Sequence, residues 1–172
     1  MYTQKLSTLA LAGLAAIFLT VTPVLAQSDA APPKPVVLTA KDKLPASVTQ
    51  LTIIDREEGD AKGKFAQTGF AILVHYTGWL YDPSKPDGRG EQFDSSRARP
   101  VPFSFLLGAG RVIKGWEQGL LGMKAGGKRT LIIPPALAYG DRERPKIPKN
   151  STLLFDVEVA DVIDPSGNAM TS

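Results

Sequence analysis

Val112–Gly122, VIKGWEQGLLG, is the one stretch of this chain with a clear helical period, and the other apolar segments around it are short and strand-like. Val112, Ile113, Trp116 and Leu120 fall on one face, with Lys114, Glu117 and Gln118 on the other, which predicts an amphipathic helix of about three turns. Two glycines, Gly115 and Gly119, lie inside it. Each costs roughly 1 kcal/mol relative to alanine in a helix interior, so their presence implies a compensating need. At Gly115, directly before Trp116, a missing Cβ would let a sheet or a ligand approach closely. Gly122 is a natural helix stop.

Around this helix the chain is written in strands. LTIID near residue 51 has strand composition, and Phe70–Tyr81 is rich in aromatic and β-branched residues. On that second strand Ile72, Val74 and Tyr76 share one face. Asp82–Gln92 holds turn formers and no apolar residue, which predicts an exposed loop. Within FDSSRARPVPFSFLLG a further strand places Phe103 and Phe105 on one face, and Pro100 and Pro102 confine it to a sheet edge. RTLIIP is a short apolar strand, and Ser151–Ile163 alternates cleanly. About five strands and one helix, with no alternating strand–helix rhythm, predict an α+β domain with an antiparallel sheet and the helix on one face.

The N-terminus predicts export. Lys5 precedes an apolar and small-residue run, and Val24 and Ala26 stand at the minus three and minus one places of a signal-peptidase site. Residues 1–26 are therefore assigned to a secretory signal peptide, the alternative being an uncleaved anchor that the interrupted run suits less well. Residues 27–49, rich in Pro and Ala, read as a flexible linker, 50–164 as the folded domain and 165–172 as a disordered tail. The expected product is soluble, periplasmic or secreted, and monomeric, without stable membrane insertion once the signal is removed. With no cysteine, the chain can use no disulfide, thiol chemistry or lipidated cysteine. A formal charge of +3 is too mild to imply nucleic acid.

Most catalytic templates fail. His75 is the single histidine, lies mid-strand, and has no partners for a metal site, so neither metal nor cofactor is expected. Gly108 and Gly110 begin a dinucleotide-like pattern, but Ile113 stands where its third glycine belongs. Asn150-Ser151-Thr152 is a sequon of a kind that arises often by coincidence. What stands out is a set of aromatics in motif-like settings: Tyr76, Phe93, Phe103, Trp116, Tyr139 and Phe155. Taken singly, each reads most simply as core.

Taken together, the strings VHYTGWL, FDSSR, PFSFLLGAGRVIKGWEQGLLGMKAGGKRTLIIP, AYG and IPKNSTLLFDVEV, in this order and spacing, resemble the FKBP-type peptidyl-prolyl cis-trans isomerases over roughly Gln50–Asp164. The resemblance implies a curved antiparallel sheet wrapped around a short helix, with a pocket between them. It implies Trp116 as the pocket floor, Tyr76, Phe93, Phe103 and Phe155 as walls, and Val112 and Ile113 as the lip. Asp94 and Tyr139 would supply polar groups and, with Tyr76, form the implied catalytic set, with Arg99 at the place of the family's pairing arginine. For Asp94 a turn-capping role within FDSS stands equally open. The activity implied is isomerisation of X-Pro bonds during folding of exported proteins. A non-catalytic proline-binding module or chaperone using the same pocket is the rival reading. Implied partners are proline-containing peptides, partly folded exported proteins and the family's macrolide inhibitors. On this view Gly115 lets Trp116 lie flat, and enlarging it is expected to harm activity more than folding.

One segment departs from the family pattern. After Tyr139 the usual small residues are replaced by DRERPK, and Lys149 stands in place of a proline. Ile147 alone matches well there and is assigned to substrate binding. Arg142, Arg144, Lys146 and Lys149 suggest an acidic sequence context for the substrate.

Overall fold

Seven strands, one α-helix and one 3-10 turn make up residues 33–166, the part of the chain that this computed structural model describes. The strands are β1 (Val36–Leu38), β2 (Thr52–Glu57), β3 (Ala71–Tyr81), β4 (Arg89–Ser95), β5 (Phe103–Leu106), β6 (Lys128–Ile133) and β7 (Leu153–Ile163). The helix α1 spans Lys114–Gly119, and the 3-10 turn Pro135–Leu137 follows β6. The signal-peptide assignment falls wholly outside the described residues, and the first part of the linker and most of the tail fall outside them too.

All seven strands join one sheet in the order β1-β2-β6-β7-β3-β4, with β5 also paired to β3. Every pairing is antiparallel except β1 with β2. The expected α+β architecture is present, a sheet with one short helix, though with seven strands rather than five and one parallel pair. β3 is the hinge of the topology. One edge runs against β7 from Ala71↔Ile163 to Leu80↔Leu153, while the other is divided between β5, opposite Ala71–Val74, and β4, opposite Thr77–Tyr81. Tyr76 sits at that division.

Burial follows the two-residue period of a strand. On β3, Ile72, Val74, Tyr76 and Gly78 point inward, into a core shared with Leu131, Ile133, Leu153, Phe155 and Val157. β6 differs, since its run Thr130–Ile133 is buried throughout. Leu131 and Ile133 face the main core, while Ile132 joins Ile54 and Leu154 in a second cluster covered by Leu38, Leu44, Val48, Trp79 and Tyr81. A strand covered on both faces loses the alternation that a half-exposed strand keeps, which is why RTLIIP reads as a continuous apolar run.

That second cluster corrects the linker assignment. Val36–Leu38 is a strand pairing with β2, and Leu38 and Leu44 help close the sheet's other face. The Tyr81 hydroxyl donates to the Pro45 carbonyl at 2.5 Å, fastening the same segment. Proline density concealed a β-branched pair, Val36-Val37, whose neighbours have apolar surface to bury. The loop assigned to Asp82–Gln92 is also shorter, because β4 begins at Arg89 and the Asp82 amide donates to the Gly88 carbonyl at 2.9 Å. A strand with polar residues at nearly every position, on the sheet's edge, leaves no apolar pattern to find.

The helix has six residues rather than three turns. Ile113 is its N-cap, with extended dihedrals of −61° and 148°, so Val112 and Ile113 precede the helix. α1 lies on β6 through its two glycines. A Cβ on Gly115 would collide with Ile133, and one on Gly119 would stand 2.7 Å from Leu131 Cδ2. It is the sheet that requires these glycines. The Arg129 guanidinium closes the helix's far end, donating to the Gly119 carbonyl at 2.6 Å while its Nε pairs with Asp55, an arrangement that favours the partial negative charge there.

Candidate functional site

Between α1, β3, β4 and the segment following β6 lies a cavity of about 780 Å³, within the range of small-ligand sites. Trp116 and Phe155 are its most buried aromatics, each 4% exposed, and Trp116 is carried on the buried face of the helix. The Tyr76 ring meets it edge to face at 5.0 Å and the Phe155 ring does so at 5.3 Å. Phe103 stands 6.2 Å from Trp116, and Phe93 closes on Phe155 at 5.4 Å. Such edge-on contacts each add about 0.5–1.5 kcal/mol beyond burial and fix the rings in place. Phe93 and Phe155 also crowd Gly78, where a Cβ would lie 2.6 Å from one ring and 2.7 Å from the other. Glycine at that inward strand position makes room for the wall.

The polar group of the cavity is assembled at the division of β3's edge. Tyr76 OH donates to Asp94 Oδ2 at 2.5 Å, while Asp94 Oδ1 accepts from the Ser95 amide at 2.8 Å and from Arg99 at 3.3 Å. The Asp94 carboxylate therefore accepts from the amide of its own turn and holds the Tyr76 hydroxyl. Burial first, and then the bond to Asp94, push the Tyr76 hydroxyl up to about 12, so it is a donor throughout the neutral range.

Ser96 is the residue that sequence reasoning missed here. Where β3 passes from β5 to β4, the Tyr76 backbone has no strand partner on that edge, though it stays paired to Val157 on the other. Ser96 takes the missing partner's place: its Oγ accepts from the Tyr76 amide at 2.8 Å, and its own amide donates to the Tyr76 carbonyl at 2.9 Å. Ser96 is fully buried. The FDSS string signalled a turn but not which strand the turn would serve.

Glu117 is a second such residue. Its carboxylate accepts from the amides of Gly108 and Gly110, at 2.5 and 2.9 Å, drawing the loop after β5 onto the helix. Both glycines have positive φ, 84° and 66°, a conformation that side chains disfavour. The GAG string that suggested a dinucleotide motif thus serves to receive the helix's own glutamate. Val112 and Ile113 line the lip, and among the described residues the Ile113 amide has no intrachain acceptor.

Tyr139, half-buried, lines the opposite side, with the Arg144 guanidinium 5.4 Å above its ring. Ile147 is not among the lining residues. It is 5% exposed and packs into the core, leaving the hairpin it belongs to, rather than its side chain, facing the cavity. The Arg144 and Ile147 backbones exchange two hydrogen bonds, of 3.0 and 2.9 Å, around Pro145-Lys146. Lys146 has φ of 63°, so it occupies the left-handed place usual for glycine in a type II turn. Trp116 Nε1 is the one buried side-chain polar atom without a partner among the described residues, a cost of about 1–3 kcal/mol. No group of acidic, histidine or cysteine side chains able to hold a metal ion occurs among the described residues.

A family model described as FKBP-type peptidyl-prolyl cis-trans isomerase matches residues 62–160. The FK506-binding protein 1 of Aspergillus oryzae is 47% identical over 100 residues, covering 56% of this chain and 86% of that protein. The FK506-binding protein of Neisseria meningitidis is 47% identical over 115 residues, covering 66% of this chain and 97% of that protein. Among solved structures, FkpA from Escherichia coli superposes with a TM-score of 0.57 at 42% identity, covering 72% of this chain and 53% of that one. Other relatives are much longer, the chain spanning 55% and 24% of two of them.

Proposed function

The chain belongs to the FKBP-type peptidyl-prolyl cis-trans isomerase family, and on that premise we propose that it isomerises X-Pro bonds in the cavity above Trp116, serving the folding of exported proteins. Members of the family are peptidyl-prolyl cis-trans isomerases. The observation that carries the reading is the conjunction of an aromatic floor and walls with one ordered polar group, Tyr76–Asp94–Arg99, at their edge.

The chemistry needs neither a nucleophile nor a proton transfer. Rotation about a peptide bond meets a barrier of about 18–20 kcal/mol because twisting ends the resonance. The twisted amide is less dipolar than the planar one and is hydrated less strongly. A cavity walled by Tyr76, Phe103, Trp116 and Phe155 withdraws water from the bond and so disfavours the planar ground state relative to the twisted one. The prolyl ring, an apolar plug, rests on Trp116. The free Ile113 amide holds a substrate carbonyl at the lip, and the Tyr139 hydroxyl serves as a second donor. Asp94 fixes the Tyr76 ring as a wall and places a carboxylate near the rotating carbonyl. The family's macrolides would occupy the same cavity, and the protein would act as a monomer.

Export is supported by the signal-peptide pattern of residues 1–26. N-terminal sequencing of secreted or periplasmic material is expected to begin at Gln27; a start near Met1 would overturn export with cleavage. Exchange spectroscopy on an X-Pro peptide separates catalysis from holding. An isomerase speeds cis-trans exchange at substoichiometric concentration, whereas a binding module only shifts peptide resonances.

A further inference from the structure

The aromatic cavity has a basic mouth. Arg111, Lys114, Arg142 and Arg144 all line it, and none of the four forms an ion pair among the described residues. The two carboxylates that line it are already engaged. Glu117 accepts from the Gly108 and Gly110 amides, and Asp94 from Tyr76, Ser95 and Arg99. Asp141 and Glu143 neighbour the two loop arginines in the chain, yet they form no ion pair and do not line the cavity. Among the described residues the mouth thus carries four cations without an acidic partner.

These cations are also partly positioned. Arg144 is held over Tyr139 and by the backbone bridge to Ile147, at the base of the Pro145-Lys146 turn. Lys114 stands at the first helical position, next to the lip residue Ile113. Charges on opposite sides of an apolar cleft attract a carboxylate-bearing ligand and raise its encounter rate, and they repel a basic one.

We infer that the cavity selects proline segments flanked by aspartate or glutamate, with Arg142, Arg144 and Lys114 setting that preference. This rests on the isomerase reading for its turnover but not for its binding. The test uses the full chain and one X-Pro peptide core carrying paired glutamates, glutamines or lysines, placed before the X residue in one set and after the proline in another. At low salt, kcat/KM for a glutamate peptide is expected to exceed that for its lysine counterpart by about tenfold in at least one set, and the gap to close near 0.5 M salt, where the Debye length is only a few ångströms. Arg142→Glu with Arg144→Glu is expected to reverse the order, Lys114→Glu to narrow it, and Arg144→Lys to retain it. Peptide affinities read by fluorescence anisotropy keep the two claims apart. Charge discrimination in binding without turnover on any peptide would keep the basic mouth and discard catalysis. Turnover and affinity within about twofold across all three charges at low salt, in both sets, would overturn the inference while leaving the isomerase reading intact.

Discussion

Tyr76 and Asp94 lie on neighbouring strands, 18 positions apart, and their side chains meet at 2.5 Å on the rim of the aromatic cavity. The bond ties the wall to the polar group, so removing it loosens both. Asp94→Ala is expected to lower kcat/KM on an X-Pro peptide about tenfold, the rate equivalent of losing one such hydrogen bond, with a stability loss of roughly 1 kcal/mol. Tyr76→Phe removes the same bond from the other side. The double variant is therefore expected to fall little further than Asp94→Ala alone. Additive losses would show that the two residues act separately.

Gly115 lies directly against Ile133, where a Cβ would collide with the side chain. Gly115→Ala forces a methyl group into a fully buried isoleucine, and overpacking of that kind costs about 1–3 kcal/mol. Activity and stability should fall together, because the helix must lift and carries Trp116 with it. The contact with Ile133 thus replaces the expectation that enlarging Gly115 harms activity more than folding with one of equal losses. Denaturant unfolding of Gly115→Ala, Ile133→Ala and the pair is the check. The pair should lose at least about 1 kcal/mol less than the sum of the singles; a simple sum would contradict the contact.

Lys146 holds a positive φ of 63° without being glycine. Lys146→Gly is expected to raise stability by about 0.5–1 kcal/mol, relieving a conformation that costs L-residues about 1–2 kcal/mol, less the entropy that glycine loses on folding. Lys146→Val is expected to lower it. Urea midpoints decide, and a lower midpoint for the glycine variant would contradict the turn assignment.

The Tyr76 hydroxyl, raised to about 12 by burial and by Asp94, gives a pH signature at the alkaline end. An unfolded tyrosine titrates near 10, so between about pH 10 and 12 the unfolded chain has lost a proton that the native state keeps. The contribution of Tyr76 is full below about pH 10 and is lost as pH rises through its folded value. Tyr76→Phe should flatten the alkaline limb of the stability profile; an unchanged limb would place the effect elsewhere.

The helix period, the two long strands and the aromatic positions were legible because each is a local pattern that burial enforces. Trp116 announced itself by its costly glycines, although their partner, β6, could not be read from the helix alone. Ser96 was hidden because its task, replacing a strand partner for Tyr76, exists only where β3's edge is divided. β1 was hidden because three residues beside a proline carry too little pattern; they order by pairing with β2 while Leu38 packs on the cluster of Ile54, Ile132 and Leu154. Ile147 was placed in the cavity by motif position, whereas the fold turns its side chain into the core.

The most direct test of the central claim is the rate of cis-trans exchange in an X-Pro peptide, measured with the full chain and with Trp116→Leu. Each protein is first checked for folding by its unfolding transition. The native chain is expected to accelerate exchange at substoichiometric concentration, and folded Trp116→Leu to lose at least about tenfold of that acceleration, as removal of the ring that supports the twisted amide requires. No acceleration by the native chain, or equal acceleration by the two proteins, would contradict the claim.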